Sequence, residues 1–412
     1  MTDRHTTDTP PLFRLSAMMF MQVFVLGCTS PIITLYLKSD LGFSGLQIGW
    51  IMASTALSSI ISPLIGACVA DRCISAERLL AISHFGAAVL LYTLSFQTRF
   101  GAVIVCYLLY GLIIGSTTAL TTAITFHHHP GARTTFGGIR LWGTLGWICA
   151  AWIFRFVFAS NGGKDADLTG ALLLGVLASL TLGIFSFFIP PAIGTKSNEP
   201  ATLLPRDSLA VLFGPSLLVL CLFATVISIA DRFYVFGGAP YLKSLGMREC
   251  DIMPALSVGQ VPEVIGLALL GFLIVRFGTK KVFLLGAGLE IVRFLFFVSG
   301  VKGPLLYLAI SLHGLTYAFF FVTASIFLDR NCTPQTRSGA HQYFSLIVSG
   351  TSTLAGNLLA GLVAELTQSL PGDIAFQYFW TVPLLFSIAG FAGMALLFRD
   401  RSAVNPSTTL SL

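Results

Sequence analysis

Gly138-Ile139-Arg140-Leu141-Trp142-Gly143-Thr144-Leu145-Gly146-Trp147 sets an arginine about one turn inside a long apolar run at 137–159. Helical periodicity puts Arg140, Thr144 and Trp147 at i, i+4 and i+7, so a cation, a hydroxyl and an aromatic ring share one face. An ionised side chain at the bilayer centre costs at least ~2.5–3.5 kcal/mol, so such a residue lines a cavity or finds a partner. The stretch therefore reads as a binding face on a membrane helix, and the fold is the machinery that supplies acids to answer this arginine.

Composition agrees. The 412 residues are 55% hydrophobic and 10% charged, with mean hydropathy +0.84, whereas soluble domains carry about 25% charge. The chain reads as an integral membrane protein. Its first apolar run, 12–37, is too long for a signal-peptide core and lacks a small-residue cleavage site, so it is expected to be a retained span. The eight cysteines show no paired metal spacing and read as small core residues with free thiols.

Apolar runs long enough to cross about 30 Å fall at 12–37, 46–70, 77–96, 101–124, 137–159, 167–190, 209–236, 251–276, 281–299, 303–328, 338–366 and 373–398. Twelve spans return both termini to one side. The long connection 191–207 holds Pro191, Lys196, Ser197, Pro200, Pro205 and Arg206, and divides the chain into 1–190 and 208–412. Of the 24 Lys and Arg, fourteen fall in connections or at run ends on the N-terminal side and seven on the other, while Arg140, Arg232 and Arg293 lie well inside runs. The excess places both termini in the cytoplasm.

The connection after the second run reads Ala67-Cys68-Val69-Ala70-Asp71-Arg72, and that after the eighth carries Arg276, Lys280 and Lys281. Both are similar to the loop signature of the major facilitator superfamily, a small residue followed four later by an acid and then by bases. The first copy has Ala67 at the usual glycine position, and the second lacks the acid. The resemblance implies an all-α membrane fold of twelve helices in two six-helix bundles, substrate held between them near the midplane, and Asp71 and Arg72 as a conformational loop.

Away from the run ends, three acids (Asp231, Glu263, Glu290) stand against three bases (Arg140, Arg232, Arg293). Glu290 and Arg293, at i and i+3, can neutralise each other. Asp231 and Arg232 point about 100° apart and are not expected to satisfy each other across one face. After them Phe233 to Pro240 forms an aromatic run broken by glycines and a proline, as expected for a helix whose outer end bends or unwinds during gating. Gln260 and Glu263 share a face, and Pro262 between them leaves the Val258 carbonyl without its usual partner. Glu263, then Asp231, are the acids expected to answer Arg140 and to carry a proton, because burial and a nearby cation pull a carboxyl's proton affinity in opposite directions. Gln22 and Tyr317 are candidate contacts at cavity depth. His127-His128-His129-Pro130 reads as a solvated loop, and no metal is expected.

Three stretches resemble the nucleoside:proton symporter branch of the superfamily: Ile139 to Trp147, Ser257-Val258-Gly259-Gln260-Val261-Pro262-Glu263, and the block from Tyr317 through Arg337 to Gln342. The resemblance implies that Arg140, Thr144, Gln260 and Glu263 hydrogen-bond the substrate, that Trp147, Tyr234 and Tyr317 wall it, and that Asp231, Arg232 and Glu263 take part in coupling. Ala318 stands where the branch has an aspartate, and its amides in the seventh span have no clean counterpart here. The expected protein is a proton-coupled nucleoside importer of the cytoplasmic (inner) membrane. It is expected to be a monomer with no cofactor beyond the coupling proton and no nucleic-acid polymer as partner. A symporter for a small carboxylate, of the phenylpropionate type, or for a sugar is the alternative. No nucleophile–base or metal-ligand pair at helical spacing suggests an enzyme.

Overall fold

The computed structural model describes residues 12–72, 74–128, 132–158, 167–190, 206–333 and 335–400; side chains at 59–60, 62–72, 132–135, 206, 338 and 373 are not described. Among the described residues every regular element is a helix. The chain divides into two compact units: 1–201 with 237–257, and 202–236 with 258–412. The segment 237–257 thus groups with the first unit, a difference from a simple cut at the central linker.

The first unit is built from α1 (Leu12–Thr29), α2 (Ile33–Ser39), α3 (Gly45–Arg72), α4 (Ala76–Leu94), α5 (Phe100–His128), α6 (Ala132–Phe158) and α7 (Thr169–Ser186). Pro31 separates α1 from α2, since it has no N–H to continue the helical ladder. The second begins with α8 (Arg206–Leu212) and α9 (Pro215–Ser244), followed by α10 (Glu249–Ser257), α11 (Gln260–Phe277), α12 (Thr279–Val298) and α13 (Pro304–Thr316). A π-helical stretch, Tyr317–Val322, links α13 to α14 (Thr323–Arg330). A second, Leu346–Gly350, links α15 (Arg337–Ser345) to α16 (Thr351–Thr367), and α17 (Gly372–Leu397) closes the series. Residues 237–244 of α9 and all of α10 belong to the first unit.

Nine helical segments among the described residues are long and apolar enough to cross a membrane. The expected runs 46–70, 77–96 and 281–299 are helical too, as α3, α4 and α12, but α12 carries Lys280, Lys281, Glu290 and Arg293. Large apolar side chains face outward throughout; Val275 is 87% and Leu396 77% exposed. A surface of that kind needs lipid as its solvent.

Small residues set the helix spacing, as where lipid removes the hydrophobic drive between helices. In the first unit α1 lies on α6 with Gly146 against the Phe20 carbonyl and Gly27 against the Trp147 backbone, where a Cβ would come within 3.0 Å of Trp147 Cα. In the second unit Gly286 of α12 meets the Phe320 backbone, where a Cβ would lie 2.8 Å from the amide nitrogen. Phe320, Phe283, Phe327 and Phe398 are all buried and pack edge to face around it.

One local expectation needs correction. His127 and His128 are the last residues of α5 rather than a loop, and His128 is buried; His129 and Pro130 lie outside the described residues. The helix runs on because nothing before Pro130 breaks it, and proline disfavours helix only in the residue ahead of it. In this structure α9 is helical through Gly237, Gly238 and Pro240 to Ser244.

Candidate functional site

In the first unit α6 begins at Ala132, which puts Arg140 more than two turns inside the helix rather than one. Gly143 and Gly146 turn toward α1, with Val23 and Phe20 as neighbours. The Arg140 guanidinium runs back over Gly143, where a Cβ would sit 2.7 Å from its Nη1. Its side chain is exposed, while Thr144 and Trp147 are half-buried. Among the described residues no hydrogen bond or ion pair holds Arg140. It is a cation with open donors, suited to a ligand's carbonyl or anionic oxygen.

The second unit's boundary falls at a helix break. Between α10 and α11, Val258 and Gly259 form a turn, and the Val258 carbonyl accepts only a long bond, 3.4 Å, from the Val261 amide. The expected consequence of Pro262 is thus a full interruption. Gln260 becomes the first residue of α11, and Glu263 lies in its first turn, where the helix dipole favours a negative charge. Both are half-buried. On α13, Gly314 lies against the Gly259 carbonyl and the Glu263 backbone; a side chain there would meet Glu263 N at 2.8 Å. That glycine lets α13 approach the break.

Asp231, Glu290, Arg293 and His313 form a charged network linking α9, α12 and α13 inside the second unit. Arg293 is fully buried, with Nη2 3.4 Å from Asp231 Oδ1 and 3.1 Å from Glu290 Oε1. Its guanidinium lies 4.6 Å from the Tyr234 ring centre, a cation–π contact. Arg232 Nη2 donates to Asp231 Oδ2 at 3.3 Å. His313 Nδ1 stands 2.7 Å from Arg293 Nη1 and 3.2 Å from Asp231 Oδ1. Neither carboxylate oxygen of Glu290 has a hydrogen bond of good geometry, although the arginine is within ion-pairing distance. One buried guanidinium is shared by two acids.

This arrangement corrects one expectation. Asp231 and Arg232 do pair, because the arginine's length lets its tip curl back to a neighbour whose Cβ points elsewhere. Within its own unit Asp231 has Arg232, Arg293 and His313 as partners. Glu290 and Arg293 meet as expected, but as part of a larger set. His313 adds no formal charge to the sequence, and its signal there is the Leu312-His313-Gly314 interruption of an apolar run.

Other expected site residues scatter. Gln22 is 1% exposed, and its amide is committed at both ends: Nε2 donates to Thr117 Oγ1 at 2.7 Å, and Oε1 lies 2.9 Å from His84 Nε2. Tyr234 is buried, stacked 5.9 Å from Phe297 and 4.7 Å from His313. Tyr317 is 43% exposed and opens the first π-helical stretch, an irregularity frequent at functional sites. Asp71 and Arg72 close α3, but their side chains lie outside the described residues. His341 and Arg337 both reach Asp329, at 3.4 and 2.9 Å.

These helices, apolar outer faces and buried charges define a multi-pass membrane transporter of the major facilitator type. In agreement, the crystal structure of nucleoside transporter NupG superposes with TM-score 0.84 at 23% identity, covering 95% of this chain and 99% of that one. The family model for nucleoside H+ symporters matches residues 11–403, and the chain belongs to that family. It is 32% identical over 394 residues to YegT of Escherichia coli (strain K12), which carries a provisional nucleoside-transporter name; 93% of this chain and 92% of the relative are covered. Nucleoside permease NupG of the same organism is 25% identical over 406 residues, covering 93% and 95%. The matches favour this family over the carboxylate or sugar alternative.

Proposed function

We propose that the protein is a proton-coupled nucleoside importer working by alternating access. The observation that carries the reading is the polar break heading α11: Gln260 and Glu263, half-buried in the first turn, offer an amide and a carboxyl that can hydrogen-bond a nucleoside's base and ribose. Membership of the nucleoside H+ symporter family over 11–403 supports it. Arg140 and Thr144 supply further donors, with Trp147, Tyr234 and Tyr317 as the aromatic wall. Gln22 is left out, since its amide is already bonded at both ends. Glu263 is the first proton carrier, with Asp231 and Arg232 as second participants.

The two groups of six spans, 1–190 and 208–412, are the moving halves, joined by 191–207, with Asp71 and Arg72 at a conformational loop. The helical α3, α4 and α12 beside nine more apolar segments support twelve spans in all. The loop charges support cytoplasmic termini in an inner membrane. The working unit is a monomer, and the proton is its coupling ion.

Proteoliposomes loaded with protein and offered a panel of labelled nucleosides, with and without an inward pH gradient, test this. Accumulation that collapses with a protonophore, and that Glu263→Gln abolishes, is expected. Uptake indifferent to the protonophore would overturn coupling, and no nucleoside-dependent thermal shift would overturn the substrate class.

A further inference from the structure

His313 of α13 presents one nitrogen to two groups of opposite demand. Arg293 Nη1, 2.7 Å away, can only donate, while Asp231 Oδ1, 3.2 Å away, can only accept. When Nδ1 is unprotonated it accepts from Arg293. When Nδ1 carries a proton it can no longer face that cation as an acceptor, and it donates to Asp231. The two arrangements are mutually exclusive, and a single proton selects between them.

We propose that His313 is a proton-binding residue of the transport cycle, switching its Nδ1 between Arg293 and Asp231. This rests on the proton-coupled reading above and adds a residue to it. The charge balance fits such a role. Asp231 and Glu290 offset Arg232 and Arg293, so the set is neutral with a neutral imidazole and gains one positive charge when a proton from water arrives at Nδ1. Arg293, released from the imidazole, has Glu290 Oε1 3.1 Å from Nη2 to turn to. Glu290 is fully buried and already ion-paired to that guanidinium, but without a well-formed hydrogen bond, so the contact can tighten when the imidazole lets go. Tyr234 lies against both rings' worth of charge, 4.7 Å from His313 and 4.6 Å from Arg293, and stabilises a cation in either place.

Access separates His313 from its partners. Its side chain is 25% exposed, against 7% for Asp231 and none for Arg293 and Glu290. With Arg232, whose side chain is 33% exposed, the histidine is one of two open ends of the network, and of the two it alone takes up a proton. The groups facing it are Asp231, Arg232 and Tyr234 from α9, Glu290 and Arg293 from α12, and Glu263 from α11, whose backbone lies beside Gly314. Movement of α13 against α11 therefore connects the imidazole to the polar break where the nucleoside is proposed to bind.

The test is twofold. In the purified full-length protein labelled with ¹⁵N-histidine, the resonance lost in His313→Asn is expected to pass from unprotonated to protonated Nδ1 as pH is lowered from about 8 to about 5. In proteoliposomes, His313→Asn is expected to keep nucleoside counterflow, which needs no net proton movement and shows that the variant is folded, while losing at least tenfold of gradient-driven accumulation. An Nδ1 fixed in one protonation state across that range, or gradient-driven accumulation equal to wild type in His313→Asn, overturns the proposal. Failure of the transport reading looks different: wild type then accumulates no nucleoside, while the His313 resonance still titrates and proton binding at this site stands.

Discussion

In the first unit α1, α4 and α5 are tied together by Gln22, His84 and Thr117; in the second α9, α12 and α13 are tied by Asp231, Arg293 and His313. Counted along the apolar runs, these are the first, third and fourth of each group of six. The first network is neutral and runs one way: His84 Nε2 donates to Gln22 Oε1, Gln22 Nε2 to Thr117, and the Thr117 hydroxyl to the Ile114 carbonyl at 2.7 Å. Each bond in it has one donor and one acceptor, and the remaining His84 nitrogen, Nδ1, is buried with no hydrogen-bond partner among the described residues, away from any pair of groups that a proton could choose between. The second shares one guanidinium between two carboxylates and sets one imidazole nitrogen between a donor and an acceptor. The same helix positions thus carry a fixed brace in one unit and a network with two alternative states in the other, which assigns proton sensitivity to the second.

The largest way to break this contrast is Arg293→Leu. It leaves Asp231 and Glu290 buried with less compensation, and losing one partner of a buried ion pair costs about 3–5 kcal/mol. The thermal midpoint in detergent is expected to fall sharply, and Glu290→Gln in that background to restore part of it. Next come the two glycines that allow close approach: Gly146→Ala, against the Phe20 carbonyl, and Gly314→Ala, against Gly259. Each forces backbone to move and should cost about 1–3 kcal/mol; only Gly314→Ala is expected also to lower nucleoside affinity, read by thermal shift with ligand. Gln22→Leu strands the His84 and Thr117 groups and is expected to cost about 1–3 kcal/mol, with the pH profile of uptake unchanged. A changed profile there would break the contrast.

The smallest effect is at Asp40, just beyond the first candidate span. Burial, then Glu249 and Asp167, raise its carboxyl to about 6. A raised acid favours the protonated folded state, so its contribution is full below the unfolded value, about 3.9, and is lost as pH rises through about 6. Asp40→Asn is therefore expected to raise the thermal midpoint slightly at neutral pH, with the gap to wild type closing as pH falls below 6. A gap independent of pH would count against it.

Much of the architecture was legible because lipid imposes it. Apolar runs long enough to span are helices close to their expected bounds, and Pro262, by freeing the Val258 carbonyl, points to the break just ahead of Gln260 and Glu263. The partner of Asp231 was not legible. Periodicity relates residues on one helix, whereas Asp231, Arg293 and His313 meet from three helices distant in sequence. Histidine hides further, since a neutral ring adds nothing to a charge inventory; His84 and His313 were both missed for that reason. The π-helical turn at Tyr317 is invisible too, because its extra residue leaves the Phe-rich stretch as apolar as an α-helix would be. Gln22 was polar at the right depth, but depth alone could not say that His84 and Thr117 would claim it.

The most direct test sets the two histidines side by side in proteoliposomes, measuring gradient-driven nucleoside accumulation relative to counterflow for His84→Gln and His313→Asn. The expected result is accumulation close to wild type in His84→Gln and its loss in His313→Asn, with counterflow kept in both. Accumulation lost equally in the two, or kept in His313→Asn, would contradict the assignment of proton sensitivity to the second unit.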